Sequence, residues 1–136
     1  MKKEDWTWGP YFHWSEFDDP KSMEPDSGLN MDPRFMDKLF SLRKNIGTAI
    51  AVHGAARGGY ASGGHAGGSA HYLGLAADIH IPGIEINQQS NIIRDIGFDG
   101  VGFYEHWKPM PGFHVDMANR RARWIRTSDG LYVSLT

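Results

Sequence analysis

The segment SAHYLGLAAD runs from Ser69 to Asp78 and continues into an apolar segment ending at Ile81. It places two good metal ligands, His71 and Asp78, on either side of small and apolar residues. The apolar segment from Leu75 to Ile81 predicts a buried strand. A carboxylate among apolar neighbours is costly unless it is paired or bound to a metal, so Asp78 needs such a partner.

A third candidate ligand, His114, lies in the later segment GFHVD at residues 112–116. The chain contains no cysteine, so any metal must be held by histidine, aspartate or glutamate. Zinc accepts imidazole nitrogen and carboxylate oxygen, and three protein ligands leave a fourth position open for water. The sequence therefore predicts a zinc site formed by His71, Asp78 and His114.

The other histidines have weaker signals. Strand alternation places His80 on the same face as Asp78, so it is either a fourth ligand, a supporting partner or a bystander. We favour a supporting or bystander role. His65 lies in the glycine-rich segment 54–68 and is expected to face solvent.

Together these motifs resemble the signature of the M15 zinc peptidases, which include D-Ala-D-Ala carboxypeptidases and related cell-wall peptidases. The pattern is Ser-x-His-x-x-Gly-x-Ala-x-Asp-Ile at residues 69–79, followed by His-Val-Asp at 114–116. Similar pieces occur in order at residues 14–17, 52–54 and 100–104, so that the resemblance covers about residues 12–126. It implies a fold shared with the Hedgehog signalling domain: a small single α+β domain whose mostly antiparallel sheet is flanked by two or more helices.

The resemblance also implies chemistry. It predicts a zinc-dependent peptidase, acting as a carboxypeptidase or an endopeptidase, that hydrolyses peptide bonds in peptidoglycan stem peptides or cross-links. An arginine near position 57 of such enzymes binds the substrate carboxylate or steadies the oxyanion, which makes Arg57 the candidate for substrate binding. Here the usual Ser-Gly-Tyr-Arg is replaced by the segment 53–57, HGAAR, with the arginine one place late. A solvated loop arginine is the alternative interpretation.

The general base is the point at which the sequence departs from this pattern. Related enzymes carry an acid or a histidine shortly before the last ligand, but Pro111 and Gly112 occupy those places here and neither can move a proton. Asp116 and Glu105 are the two candidates, with His106 a weaker third. Asp116 shares a face with His114 if the strand is regular, so it is alternatively a partner that holds the ligand histidine by its other ring nitrogen.

Length and charge limit the remaining possibilities. A chain of 136 residues is expected to form one domain, and a net charge of −2 gives no general attraction to nucleic acid. The N-terminus has lysines without a following apolar segment, so we expect no secretory signal and no membrane partner. The chain is expected to be a monomer, made soluble in the cytoplasm and acting on the wall after release, as phage lysis enzymes of this group do. The alternatives are a D-Ala-D-Ala carboxypeptidase or dipeptidase of wall metabolism and an inactive zinc-binding module.

The rest of the chain predicts the scaffold. Residues 1–31 are expected to form an irregular aromatic arm that packs on a peptidase domain at 32–136, with a sugar-binding aromatic strip as the alternative. A helix is predicted from Pro33 to Gly47 and another over 85–96. Strands are predicted at 48–53, 75–81, 101–104, 113–117 and 131–135. Four arginines lie around Trp124: Arg120, Arg121, Arg123 and Arg126. They are interpreted as a solvated basic face or, alternatively, as residues that attract anionic wall polymer.

Overall fold

The two main helices begin and end where their capping residues stand. Helix α1 spans Pro33–Ile46, and the side chain of Asp32 accepts a hydrogen bond from the Arg34 amide at its start. Helix α2 spans Ile86–Ile96 and is capped in the same way by Glu85. Gly47 and Gly97 follow the two helices with positive φ angles, a conformation that favours glycine. Both predicted helices are therefore confirmed.

The computed structural model describes residues 1–22, 24–53, 58–62 and 69–135. Six strands form one sheet in the spatial order β1-β2-β4-β3-β5-β6. The pairing of β3 with β5 is parallel, and the other four pairings are antiparallel. The strands are β1 Ala51–Val52, β2 Ala76–His80, β3 Gly100–Tyr104, β4 Gly112–Asp116, β5 Ala122–Arg126 and β6 Tyr132–Ser134. With the two helices, this mostly antiparallel sheet confirms the predicted small α+β domain.

Side chains alternate across the sheet and give it two different faces. The helix face packs into the hydrophobic core with residues from α1 and α2; its members are Ala77, Ile79, Val101, Phe103, Phe113 and Val115. The opposite face, which we call the open face, carries polar, aromatic and glycine residues from the same strands; its members are Asp78, His80, Gly100, Gly102, Gly112, His114, Asp116 and Trp124.

The N-terminal residues contribute directly to the core. Trp8, Phe12 and Phe17 are buried in the same cluster as the helix-face side chains and α1. The partly buried Trp6 lies edge-on to Trp8, with ring centroids 4.9 Å apart. Aromatic burial of this kind contributes strongly to core stability, so packing accounts for these rings better than an exposed sugar-binding strip does.

The prediction from the sequence omitted one strand and made another too long. β5 was not predicted, because arginines interrupt its apolar pattern. Arg123 is half-buried rather than part of a solvated face, and its guanidinium donates to the carbonyls of Phe98 and Asp99 at 3.1 and 2.6 Å. The strand predicted over 48–53 is only two residues long. No helix in the described ranges has the length and apolar character needed to cross a membrane.

Candidate metal centre

Strand register brings two of the predicted ligands together. Asp78 of β2 and His114 of β4 are directly paired across the antiparallel ladder. Residues opposed in this way place their side chains next to each other on one face. Asp78 Oδ1 lies 3.0 Å from His114 Nδ1 on the open face. Residues that are far apart in the sequence therefore meet because β2 and β4 are neighbours in the sheet.

The third candidate ligand, His71, comes from a short 3-10 helix, Ala70–Leu73, that precedes β2. The Ser69 hydroxyl accepts a hydrogen bond from the His71 amide, and Gly74 ends the turn with a φ of 69°. A Cβ at Gly74 would lie 2.3 Å from the carbonyl oxygen of Asn30, so the turn has no room for a side chain there. His71 is therefore delivered to the start of β2 in a fixed position.

A hydrogen bond to the backbone orients the His71 ring. Its Nδ1 lies 2.8 Å from the Gly59 carbonyl oxygen, which can only accept a hydrogen bond, so Nδ1 carries the proton. The other ring nitrogen, Nε2, faces Asp78 Oδ1 at 3.4 Å. A metal-binding histidine commonly donates its other ring N–H to a carbonyl or a carboxylate in this manner.

The three predicted ligands form one compact group. One ligand atom from each of His71, Asp78 and His114 lies within 4.8 Å of the other two. All three residues are largely withdrawn from solvent, with side-chain exposures of 2%, 11% and 13%. Two imidazoles and one carboxylate are a donor set that suits zinc and leaves a coordination position open. The residues present therefore fit the metal that the sequence predicts.

Asp116 supports this group from the far side of His114. Its Oδ2 lies 2.7 Å from His114 Nε2, and its Oδ1 accepts a hydrogen bond from the Ala118 amide at 3.0 Å. Asp116 faces Gly100 of β3, where an added Cβ would lie 2.2 Å from Oδ2. The glycine therefore leaves the space that the carboxylate occupies.

Electrostatics in the metal-free site favour charged partners. Burial would lower the pKa of His114, but hydrogen bonds to Asp116 and Asp78 raise it to about 9. Burial would raise the pKa of Asp78, but His114 and His71 hold it well below its usual range. Burial also acts to raise the pKa of Asp116, and His114, the Ala118 amide and the charge of Arg120 together lower it. Without metal, an imidazolium thus lies between two carboxylates.

The site opens into a cavity of about 670 Å³ on the open face. Tyr104 stacks on Trp107 with ring centroids 4.3 Å apart, and Trp124 Nε1 donates to the Tyr104 hydroxyl at 3.1 Å. Burial raises the pKa of Tyr104 to about 12, so its hydroxyl stays neutral. The lining residues are Ser69, Ala70, His71, Asp78, Tyr104, Trp107, His114, Asp116, Arg120, Ala122, Trp124, Tyr132 and Ser134.

Comparison with known proteins identifies the kind of molecule that carries this site. A family model described as Peptidase M15 matches residues 11–116, which include all three candidate ligands. The chain belongs to the M15 peptidase family. No curated protein and no solved structure matches it.

In this M15 peptidase, Gly112 lies two residues before the last candidate ligand, His114. The space beside Gly112 is occupied by side chains from elsewhere, including His80 of β2. A Cβ at Gly112 would lie 2.8 Å from His80 Nδ1 and 2.9 Å from the Trp107 ring. His80 Nε2 lies 2.5 Å from His53 Nδ1, and His53 stacks on Trp107. Burial and the nearby His53 lower the pKa of His80. His80 therefore acts as a packed partner beside the site, and it is not part of the ligand group.

The remaining predicted site residues are placed differently. Glu105 is exposed, does not line the cavity, and accepts a hydrogen bond from the Ser128 amide at 2.7 Å in the turn between β5 and β6. His106 is exposed in the loop after β3. Arg57 and His65 lie outside the described residues.

The peptidase's N-terminal arm supports the centre in a way that the sequence did not reveal. The Phe17 carbonyl accepts from the Tyr60 amide at 2.9 Å, and Asp19 Oδ2 accepts from the Ser62 amide at 3.0 Å. These contacts fix the segment 58–62, whose Gly59 carbonyl orients His71. The sequence indicated only that the arm is rich in aromatic residues. It did not indicate which group Asp19 contacts.

Proposed function

We propose that this M15 peptidase is a zinc-dependent enzyme that hydrolyses peptide bonds of peptidoglycan stem peptides or cross-links. The observation that carries the proposal is the grouping of His71, Asp78 and His114 within 4.8 Å of one another, at the wall of an open cavity. Zinc would be held by His71 Nε2, Asp78 Oδ1 and His114 Nδ1. When bound, zinc supplies a Lewis acid for the peptide carbonyl and lowers the pKa of an attacking water.

Asp116 is proposed to orient His114. Because Asp116 accepts from Nε2, it leaves Nδ1 of His114 directed at Asp78. A carboxylate in this position also raises the basicity of the ligand imidazole. The second oxygen of Asp116 accepts a hydrogen bond from the Ala118 amide, so both carboxylate oxygens are already engaged. These contacts support a positioning role more than they support direct proton transfer.

The predicted roles of Glu105 as general base and of Arg57 in substrate binding have less support than the zinc site. Glu105 would have to release the Ser128 amide and cross into the cavity before it could accept a proton from water. General-base catalysis requires hydrogen-bond reach of about 3 Å, directly or through one water. Arg57 remains the proposed ligand for a substrate carboxylate or oxyanion on the resemblance alone.

The biological setting is proposed on the same resemblance. The proposed setting is a phage-type lysis enzyme that is made in the cytoplasm and released onto the wall. The cavity is open rather than enclosed, and the metal group lies on its wall, so a chain segment has room to pass the metal group. That arrangement suits an endopeptidase. Release of terminal D-alanine alone would instead indicate the D-Ala-D-Ala carboxypeptidase or dipeptidase alternative.

Digestion of purified peptidoglycan tests the proposal. Zinc-loaded protein is incubated with peptidoglycan, and the fragments are identified by mass spectrometry alongside a count of new amino groups. We expect new peptide termini, abolished by chelation and restored by zinc, and absent from His114→Ala. A folded, zinc-loaded wild type that releases no fragment would contradict the proposal and would favour an inactive zinc-binding module.

A further inference from the structure

We propose that Arg120 is a specificity-determining residue that recognises a free carboxylate of the peptide substrate beside the metal centre. The inference rests on the proposed peptidase function and adds the substrate feature that this site would select. It concerns a side chain that the sequence assigned only to a solvated basic face.

Arg120 lies beside the metal centre and carries a positive charge. Arg120 is exposed and lines the cavity that holds the three candidate ligands. Among the described residues lining that cavity, it is the only lysine or arginine. Within residues 1–22, 24–53, 58–62 and 69–135, the guanidinium has no hydrogen bond or ion pair. Its donors are therefore available to a ligand in the cavity.

The backbone holds Arg120 in a fixed place. The turn after β4 is held by two hydrogen bonds: the Ala118 amide donates to Asp116, and the Asn119 amide donates to Asp99 at 2.9 Å. Asn119 has a φ of 61°, in the left-handed region that asparagine tolerates better than most residues. The carboxylate that contacts His114 therefore also anchors the turn that carries Arg120.

The chemistry of the Arg120 side chain suits a carboxylate. A guanidinium offers paired N–H donors that match the two oxygens of a carboxylate. Asp78 and Asp116 also line the cavity, but both carboxylates contact His114, so a substrate carboxylate needs a further cation that has no partner among the described residues. Arg120 supplies that cation at the rim. A peptide with a free carboxylate near the bond to be cut is the ligand class that meets these requirements.

The neighbouring Arg121 provides a matched control. It is also exposed, but it lines a separate small cavity with Ser90 and Arg94 on the α2 side of the sheet. Replacing either arginine by alanine removes the same charge and the same side chain. Only Arg120 faces the metal centre.

The test compares a synthetic peptidoglycan stem pentapeptide with the same peptide whose free carboxylates are converted to amides. Binding to the zinc-loaded full chain is measured by calorimetry, and kcat and KM are measured for each peptide that is cleaved. We expect wild type and Arg121→Ala to prefer the acid form by about tenfold, since charge-assisted hydrogen bonds at exposed positions are partly screened. In Arg120→Ala, binding and cleavage of the acid form should fall to the level of the amide form, while those of the amide form stay unchanged. Arg120→Lys should restore part of the preference for the acid form.

Three results would overturn the proposal. A wild type that treats the two peptides alike has no carboxylate site. A preference that persists in Arg120→Ala is set by the metal or by another cation. An equal loss for both peptides in Arg120→Ala means that Arg120 acts through Asp116. Zinc content and melting temperature identify a misfolded variant, for which Arg120→Gln is substituted. If no peptide is cleaved but the binding preference follows Arg120, the proposed hydrolysis fails and this inference stands.

Discussion

The two faces of the sheet are built from the same strands and have opposite chemistry. On the helix face, Phe113 and Val115 are buried in the core. On the open face, the residues that alternate with them are His114 and Asp116, which surround the candidate metal position. A shift of one residue in register would exchange the two sets. The comparison teaches that one strand register sets both the stability of the fold and the geometry of the site.

The two faces also use glycine differently. Gly100, Gly102 and Gly112 all lie on the open face, where they pair with Asp116, His114 and Tyr104 across the β3–β4 ladder. An added Cβ at Gly102 would lie 2.3 Å from the Trp124 ring, which packs near His114. The glycines of the open face therefore leave the space that its large side chains occupy.

The largest expected effect comes from breaking the helix face. Phe113→Ala should lower the free energy of unfolding by about 3–5 kcal/mol, because it removes a buried aromatic ring and leaves a cavity. Urea unfolding of the metal-free protein measures this change. The folded fraction should still take up zinc, because His114 and Asp78 are unchanged. A Phe113→Ala protein that is fully folded but binds no zinc would contradict the separation of the faces.

The open face should make the stability of the metal-free protein depend on pH. The pKa of His114 is raised to about 9 from an ordinary value of 6.5. The stability that this group contributes is fully present below pH 6.5 and is lost as pH rises through about 9. The free energy of unfolding should therefore fall by about 3 kcal/mol at most, at ~1.4 kcal/mol per pKa unit.

Urea unfolding at several pH values between 6.5 and 9.5 measures the effect. The zinc-loaded protein is the control, because an imidazole that holds zinc through Nδ1 cannot also carry that proton. His114→Ala should show no comparable slope. A metal-free wild type with constant stability over this range would rule out the charged triplet of His114, Asp78 and Asp116.

A smaller effect distinguishes positioning from catalysis at Asp116. Asp116→Asn should weaken zinc binding by about ten- to a hundredfold, because the partner that orients His114 loses its charge. Competition with a chelator measures the affinity. Activity should return when zinc is supplied in excess. If kcat instead stays reduced by roughly a hundredfold or more at saturating zinc, Asp116 is the general base. Glu105→Gln is the matched change outside the cavity.

Parts of this arrangement follow from sequence and parts do not. The pattern around His71 and Asp78 predicted candidate ligands, and the fold groups them with His114; strand alternation predicted that Asp116 shares a face with His114. The direction of Glu105 was not accessible, because a loop side chain has no periodicity to fix it. The partnership of His53 with His80 depends on the pairing of β1 with β2, which no local pattern reveals. β5 escaped prediction because arginines line a strand whose partner, β3, is parallel and distant in sequence.

We expect His71, Asp78 and His114 to hold one metal ion, which is measured as the amount of zinc bound per chain. Metal-free protein is titrated with zinc, and bound metal is quantified by elemental analysis, with His114→Ala as the matched control. We expect one equivalent in wild type, a higher melting temperature on binding, and no stoichiometric uptake in the variant. Wild-type protein that stays folded and takes up no zinc, or a variant that binds it equally well, would contradict the account.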